Sequence, residues 1–117
     1  MAGRADRPLH LEIRREGSAA VVSVHGSAGM EEAEEIRSAL EALTGDKADP
    51  IVLDLRDMDF ISSAGLGAIV AVRAKSRAYE GKVALVSPQT AVRQVLETTR
   101  LTHLFPVFDT VHEAMSG

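Results

Sequence analysis

The run IVLDL at residues 51–55, opened by Pro50, most narrows what this chain can become. Its apolar residues stand next to one another instead of alternating with polar ones, so as a strand it must hide both of its faces. A second run of this kind, KVALV, stands at 82–86. Strands buried on both sides need helices above and below them, and the intervening segments carry helical periodicity. Met30, Ala33, Ile36, Leu40 and Leu43 recur at spacings of three and four, predicting a helix that ends near Gly45. Leu66, Ile69, Val70 and Arg73 begin a second helix, ending near Gly81. Ser87-Pro88 predicts the cap and first turn of a third, with Val92, Val95, Leu96 and Thr99 as its apolar stripe. LFPVF at 104–108 predicts a last strand, and Asp109 the cap of a final helix through Met115. At the start, Leu9, Leu11 and Ile13 alternate with polar residues, Glu16-Gly17-Ser18 offers a turn, and AAVVSVH at 19–25 resumes a β-branched pattern. These predict a hairpin.

The predicted order is β-β-α-β-α-β-α-β-α, an α/β fold with a mixed central β-sheet flanked by α-helices. A length of 117 residues suits one domain, placed here at residues 8–115. Residues 1–7 and the last two or three are expected to be loose. With no cysteine there is neither a disulfide framework nor a thiolate metal site. His10, His25, His103 and His112 are scattered without metal-ligand spacing, so no metal or cofactor is expected. A net charge of −4 and only three Phe and one Tyr argue against nucleic acid as a partner. The longest small or apolar stretch, AGLGAIVAV at 64–72, is half a membrane span, and MAGRADRP has no apolar h-region behind it. The expected location is cytoplasmic, without direct membrane insertion. The acidic run EEAEE at 31–35 suits a helix start, and Arg73, Lys75 and Arg77 suit a helix end; both read as solvated faces.

Between the first buried strand and the second helix stands FISSAGLG, residues 60–67, with two hydroxyls and two glycines. It is no nucleophile elbow, because Ser62 and Ser63 are preceded by Phe60 and Ile61 where G-x-S-x-G needs glycine. The chain has no G-x-x-x-x-G-K-[ST] loop, and Gly65-Leu66-Gly67 lacks the third glycine of a dinucleotide fingerprint because Val70 stands there. Asp54, Asp57 and Asp59 could suggest a carboxylate site, but Asp57 and Asp59 read as neighbours on an exposed, hydrated loop. No enzyme motif survives. What remains is a serine at a helix mouth, where Ser62 or Ser63 can cap the free N–H groups and Gly65 and Gly67 permit close backbone approach. The same geometry suits an added phosphate.

The block IVLDLRDMDFISSAGLGAIVAV resembles the signature of the STAS domain family, and specifically of its single-domain bacterial anti-sigma factor antagonists. The resemblance extends to the hairpin, to Gly26 before the first helix, to KVALVSP and to the closing VRQVLETTRLTHLFPVFDTVHEAM. It implies a partner switch. The unmodified protein binds an anti-sigma factor that is also a serine kinase of the histidine-kinase-like ATPase fold, freeing the sigma factor. Phosphorylation then blocks binding, and a metal-dependent serine/threonine phosphatase restores it. ATP and Mg²⁺ belong to the kinase, so this chain is a substrate and not an enzyme. The phosphoserine maps onto Ser63. The motif loop and partner-binding residues map onto Ser62, Ser63, Ala64, Gly65, Leu66 and Gly67, with Asp54 and Gly26. Two departures stand out: Ser62 occupies the place of the family's usual aspartate, and Gly26-Ser27-Ala28-Gly29 lacks its usual acidic contact, leaving Glu31 or Glu32 as the available substitute. Other STAS domains act in lipid-transport or stress-sensing complexes, so a non-catalytic docking module is the alternative that the resemblance leaves open.

Overall fold

The computed structural model describes residues 7–116. Its elements, in chain order, are β1 (His10–Glu16), β2 (Ala19–Ala28), α1 (Ala33–Gly45), β3 (Ile51–Asp54), β4 (Met58–Ile61), α2 (Ser63–Arg77), β5 (Val83–Val86), α3 (Thr90–Thr98), a 3₁₀ turn (Leu101–His103), β6 (Val107–Phe108) and α4 (Val111–Ser116). The sheet runs β1-β2-β3-β5-β6, with β4 also paired to β2. Only the β1–β2 pair is antiparallel; the other pairings, from Ala20↔Ile51 to Val86↔Phe108, are parallel. This is the mixed α/β sheet expected from the chain, with one strand more.

The consecutive apolar runs do what their pattern requires. Ile51, Leu53 and Leu55 enter the larger core with Val22, Ile36, Leu40, Ile69, Leu85 and Leu96, while Val52 points the other way, to Val21, Val86 and Ala114. Each such side chain, fully withdrawn from water, contributes about 1.5–3 kcal/mol. The predicted stripe of the first helix holds at Ala33, Ile36, Leu40 and Leu43, all buried. Met30 does not join it: it lies before the helix and is 75% exposed. The helix starts later because Glu32 turns back, its Oε1 accepting the Gly29 N–H at 2.9 Å.

Four further expectations are corrected. Residues 57–59 are not simply an exposed loop, because Met58–Ile61 forms β4 beside the end of β2 and the Asp59 carboxylate pairs with Arg7 at 2.8 Å. The third helix is capped at Gln89, not at Ser87, whose backbone has φ +49° and whose N–H is given to Phe108 O at the sheet edge. The expected strand over 104–108 shrinks to two residues, since Pro106 has no N–H to donate and the Phe105 N–H goes to Leu101 O. The Thr110 hydroxyl, in place of Asp109, accepts from the Glu113 N–H, and Glu113 Oε1 in turn accepts from the Asp109 N–H. Of the ends expected to be loose, residues 1–6 and 117 lie outside the described residues. Arg7 is held through Asp59 and by the Ser27 N–H donating to its carbonyl, and Met115 and Ser116 belong to α4.

Candidate functional site

The predicted motif loop is the junction of β4 and α2. Ser62, in extended conformation, anchors it three ways: its N–H donates to Ala28 O at 2.8 Å, its Oγ accepts the Gly65 N–H at 3.1 Å, and its carbonyl accepts the Leu66 N–H at 2.9 Å. Ser62 is therefore the N-cap. Ser63, the first helical residue, is exposed, and its hydroxyl has no hydrogen-bond partner among the described residues. Two N–H groups at this helix mouth, those of Ser63 and Ala64, come too early in the helix to reach an intrahelical acceptor.

The two glycines divide in the same way. Gly65 is buried, and a Cβ there would meet Ile61 Cγ1 at 2.9 Å and Ala28 O at 3.5 Å. Gly67 is exposed with nothing within 4 Å of where its Cβ would stand. Leu66 is buried in the core and Ala64 is half-buried. Close approach of an outside backbone, allowed by the sequence at both glycines, is thus open at Gly67 only.

Gly26 and Asp54 are not on this surface. Gly26 is a buried residue of β2 at a register shift against β4, with φ +85°, and an added Cβ would overlap the Pro8 carbonyl. Asp54 is 5% exposed, and its carboxylate accepts from the Arg56 backbone N–H, Nε and Nη2 at 3.2, 3.1 and 2.8 Å. Hydrogen bonding to Asp54, then its charge, holds the Arg56 guanidinium above its ordinary value. Both residues hold the connection between β3 and β4, Asp54 through Arg56 and Gly26 by donating its N–H to Asp57 O at 2.9 Å. Glu32, one of two candidates for an acidic contact, is spent on Gly29; Glu31 is exposed.

Two neighbours escaped the sequence. Phe60 is 44% exposed on β4, opposite Ser27, and Met30 follows two residues after Ala28, the residue that binds Ser62. Exposed apolar side chains thus stand two residues before Ser62 on β4 and two residues beyond its backbone acceptor Ala28. Between α1 and α2 runs a groove lined by Met30, Ala64, Gly67 and Ala71, with Glu34 and Arg37 paired at 3.0 Å on its α1 wall. The two helices are also joined by Lys75 and Glu41 at 2.7 Å, a hydrogen bond and charge that hold the Glu41 carboxyl below its usual range. The only warning of Met30's exposure in the sequence was Glu32 three residues after Gly29, the spacing of an acid that folds back on a helix start.

Among the described residues, no group of three or more His, Asp or Glu is arranged to hold a metal, and no helix is long and apolar enough to cross a membrane. The site offers a hydroxyl, a helix mouth and an apolar rim. A family model described as STAS domain matches residues 10–114. The chain belongs to the STAS domain family.

Individual STAS proteins agree with this. The chain is 26% identical over 109 residues to the anti-sigma-F factor antagonist RsfB of Mycobacterium tuberculosis, covering 93% of this chain and 88% of that one. It superposes on the crystal structure of an anti-sigma factor antagonist from Mycobacterium paratuberculosis with a TM-score of 0.87 and 27% identity, covering 96% and 95% of the two chains. The Bacillus cell fate determinant SpoIIAA in its phosphorylated form shares the fold at a TM-score of 0.72 and 21% identity, over 93% and 97% of the chains. STAS antagonists of this kind are in general non-catalytic binding modules.

Proposed function

We propose that this STAS protein is an anti-sigma factor antagonist working as a partner switch. Its unphosphorylated form binds an anti-sigma factor through Ser63, Gly67 and the Met30–Phe60 rim, releasing the sigma factor. The anti-sigma factor is also the kinase: holding ATP and Mg²⁺, it transfers the γ-phosphoryl group to Ser63 Oγ and leaves ADP. A metal-dependent serine/threonine phosphatase hydrolyses the ester and resets the switch. The observation that carries this reading is the division of labour between neighbouring hydroxyls. Ser62 is committed to the cap, whereas Ser63 is exposed and, among the described residues, its hydroxyl is unbonded.

Phosphate at Ser63 suits the fold, since free N–H groups and the positive end of the helix favour an anion there. It does not suit a partner packed against a small hydroxyl and a bare glycine. The test is labelling with the cognate kinase and ATP. Ser63→Ala is expected to abolish incorporation and Ser62→Ala to retain most of it; the reverse pattern would move the site to Ser62. The isolated chain is expected to turn over no nucleotide. ATP hydrolysis at constant specific activity through several orthogonal purification steps would contradict that.

A further inference from the structure

β1 ends the sheet, and among the described residues no strand pairs with its outer edge. It is seven residues long, HLEIRRE, and stays in unbroken register with β2 from His10↔His25 to Glu16↔Ala19, without bulge or proline. Gly17 and Ser18 form the two-residue turn, Gly17 with φ +61°, so Glu16 and Ala19 close the hairpin as a hydrogen-bonded pair. Pairs of that kind alternate along an antiparallel ladder. The backbone groups of Glu16, Arg14, Glu12 and His10 therefore face β2, and those of Leu11, Ile13 and Arg15 face outward. Ile13, in the middle of the strand, is 45% exposed, one of the few large apolar side chains left in water.

Edge strands of this length are commonly blunted by charge, and β1 has charge. Its order is unusual, however, because it complements itself. With a second β1 laid antiparallel and the two-fold axis at Ile13, Glu12 faces Arg14 of the second copy, His10 faces Glu16 of the second copy, and the two Ile13 side chains meet. Sliding by two residues in either direction sets Glu12 against Glu12, or Arg14 against Arg14 and Glu12 against Glu16. Parallel in-register pairing sets every charge against itself. The existing contacts of these side chains, Arg14–Glu16 at 2.6 Å, His10–Glu12 at 3.3 Å and His25–Glu12 at 3.6 Å, are surface pairs that cost little to exchange.

We infer that β1 is a homodimerisation edge: two copies of this chain join their sheets through antiparallel β1–β1 pairing centred on Ile13. The contact is isologous and closes, so it yields dimers and not fibres. No residue of the Ser62–Gly67 loop lies on β1, and the inference does not depend on the partner switch. A single strand pair is a small interface, so the dimer is expected at a Kd of about 10–100 µM.

Sedimentation equilibrium of the full chain from about 1 µM to about 1 mM, bracketing that Kd, tests it. Glu12→Arg and Arg14→Glu each place like charges at both symmetry-related positions and are expected to raise the Kd at least about tenfold. An equimolar mixture of the two variants restores opposite charges at every one of those positions and is expected to dimerise, as is the double variant. Ile13→Pro keeps the bonds to β2, because its N–H points outward, and is expected to be monomeric with a cooperative melting transition. A wild type that stays monomeric at about 1 mM, ten times the weakest expected Kd, would overturn the inference. So would a dimer indifferent to the charge variants and their mixture.

Discussion

Ser62 and Gly65 face the protein while Ser63 and Gly67 face water, though all four lie within one short stretch. Helical spacing does the sorting: Ser62 stands over Gly65 at i, i+3, and Ser63 over Gly67 at i, i+4. The inward pair is needed by the fold. Ser62 supplies the cap, and Gly65 lets the helix start press against Ile61 and the Ala28 carbonyl. The outward pair meets no demand from the fold, since Ser63 bonds to nothing described and Gly67 has empty space beside it. Identical residue types a few positions apart thus serve folding in one case and are free for recognition in the other. Stability and binding should therefore separate cleanly along this helix turn.

The largest effect is expected from phosphate on the outward face. Phosphoserine adds a charge of about −1.5 to −2, and a clash in a packed interface of about 3 kcal/mol weakens partner affinity about a hundredfold or more. The helix mouth tolerates that charge, so the melting temperature should stay within about 4 °C of the unmodified form. Ser63→Ala should bind constitutively, and Ser63→Asp should weaken binding only partly, because one carboxylate carries less charge and fewer acceptors. Paired calorimetric titration and thermal unfolding read both quantities; equal affinities would remove the switch, and a large drop in melting temperature would make it an unfolding device.

Next in size is Gly65→Val, which forces side-chain atoms against Ile61 and should cost about 2–3 kcal/mol, seen as a fall of about 10 °C in melting temperature. A wild-type melting curve would show that the helix start accommodates the larger side chain without strain. Ser62→Ala removes the cap and should cost about 1 kcal/mol, or about 4 °C, without abolishing labelling at Ser63. The smallest stability effect belongs to Gly67→Ala. In an exposed helix position without neighbours it should stabilise by about 0.8 kcal/mol, by helix propensity alone, while lowering partner affinity. Unchanged affinity would show that the partner does not approach Gly67, which would sharpen the outward surface to Ser63 and the Met30–Phe60 rim.

Much of the molecule was legible in advance because its signals are local. Continuous apolar runs at 51–55 and 82–86 can only be strands covered on both sides, and stripes at three and four residues can only bury one helix face. Signals set by distant partners were not legible. β4 is four residues long and pairs with residues more than thirty positions earlier in β2, so Asp57 and Asp59 read as an exposed loop. Ser87 has the chemistry of a cap but is drawn into the sheet edge by Phe108. Met30 fits an apolar stripe by spacing, yet Glu32 bonding back to Gly29 starts the helix beyond it and leaves the side chain in water. Gly26 and Asp54 carried a family resemblance toward the partner surface, but the Pro8 backbone and Arg56 occupy them.

By itself the sequence determined the α/β class, the order of its main elements, the STAS signature and the place of a hydroxyl at the mouth of the second helix, because each depends on residue type and spacing over a few turns. Only the tertiary structure decided which serine is cap and which is free, and which glycine is pressed and which is open. It also decided that Met30 and Phe60 are left exposed and that β1 ends the sheet. These depend on what the rest of the chain leaves within a few ångströms of an atom, a quantity that no local spacing contains.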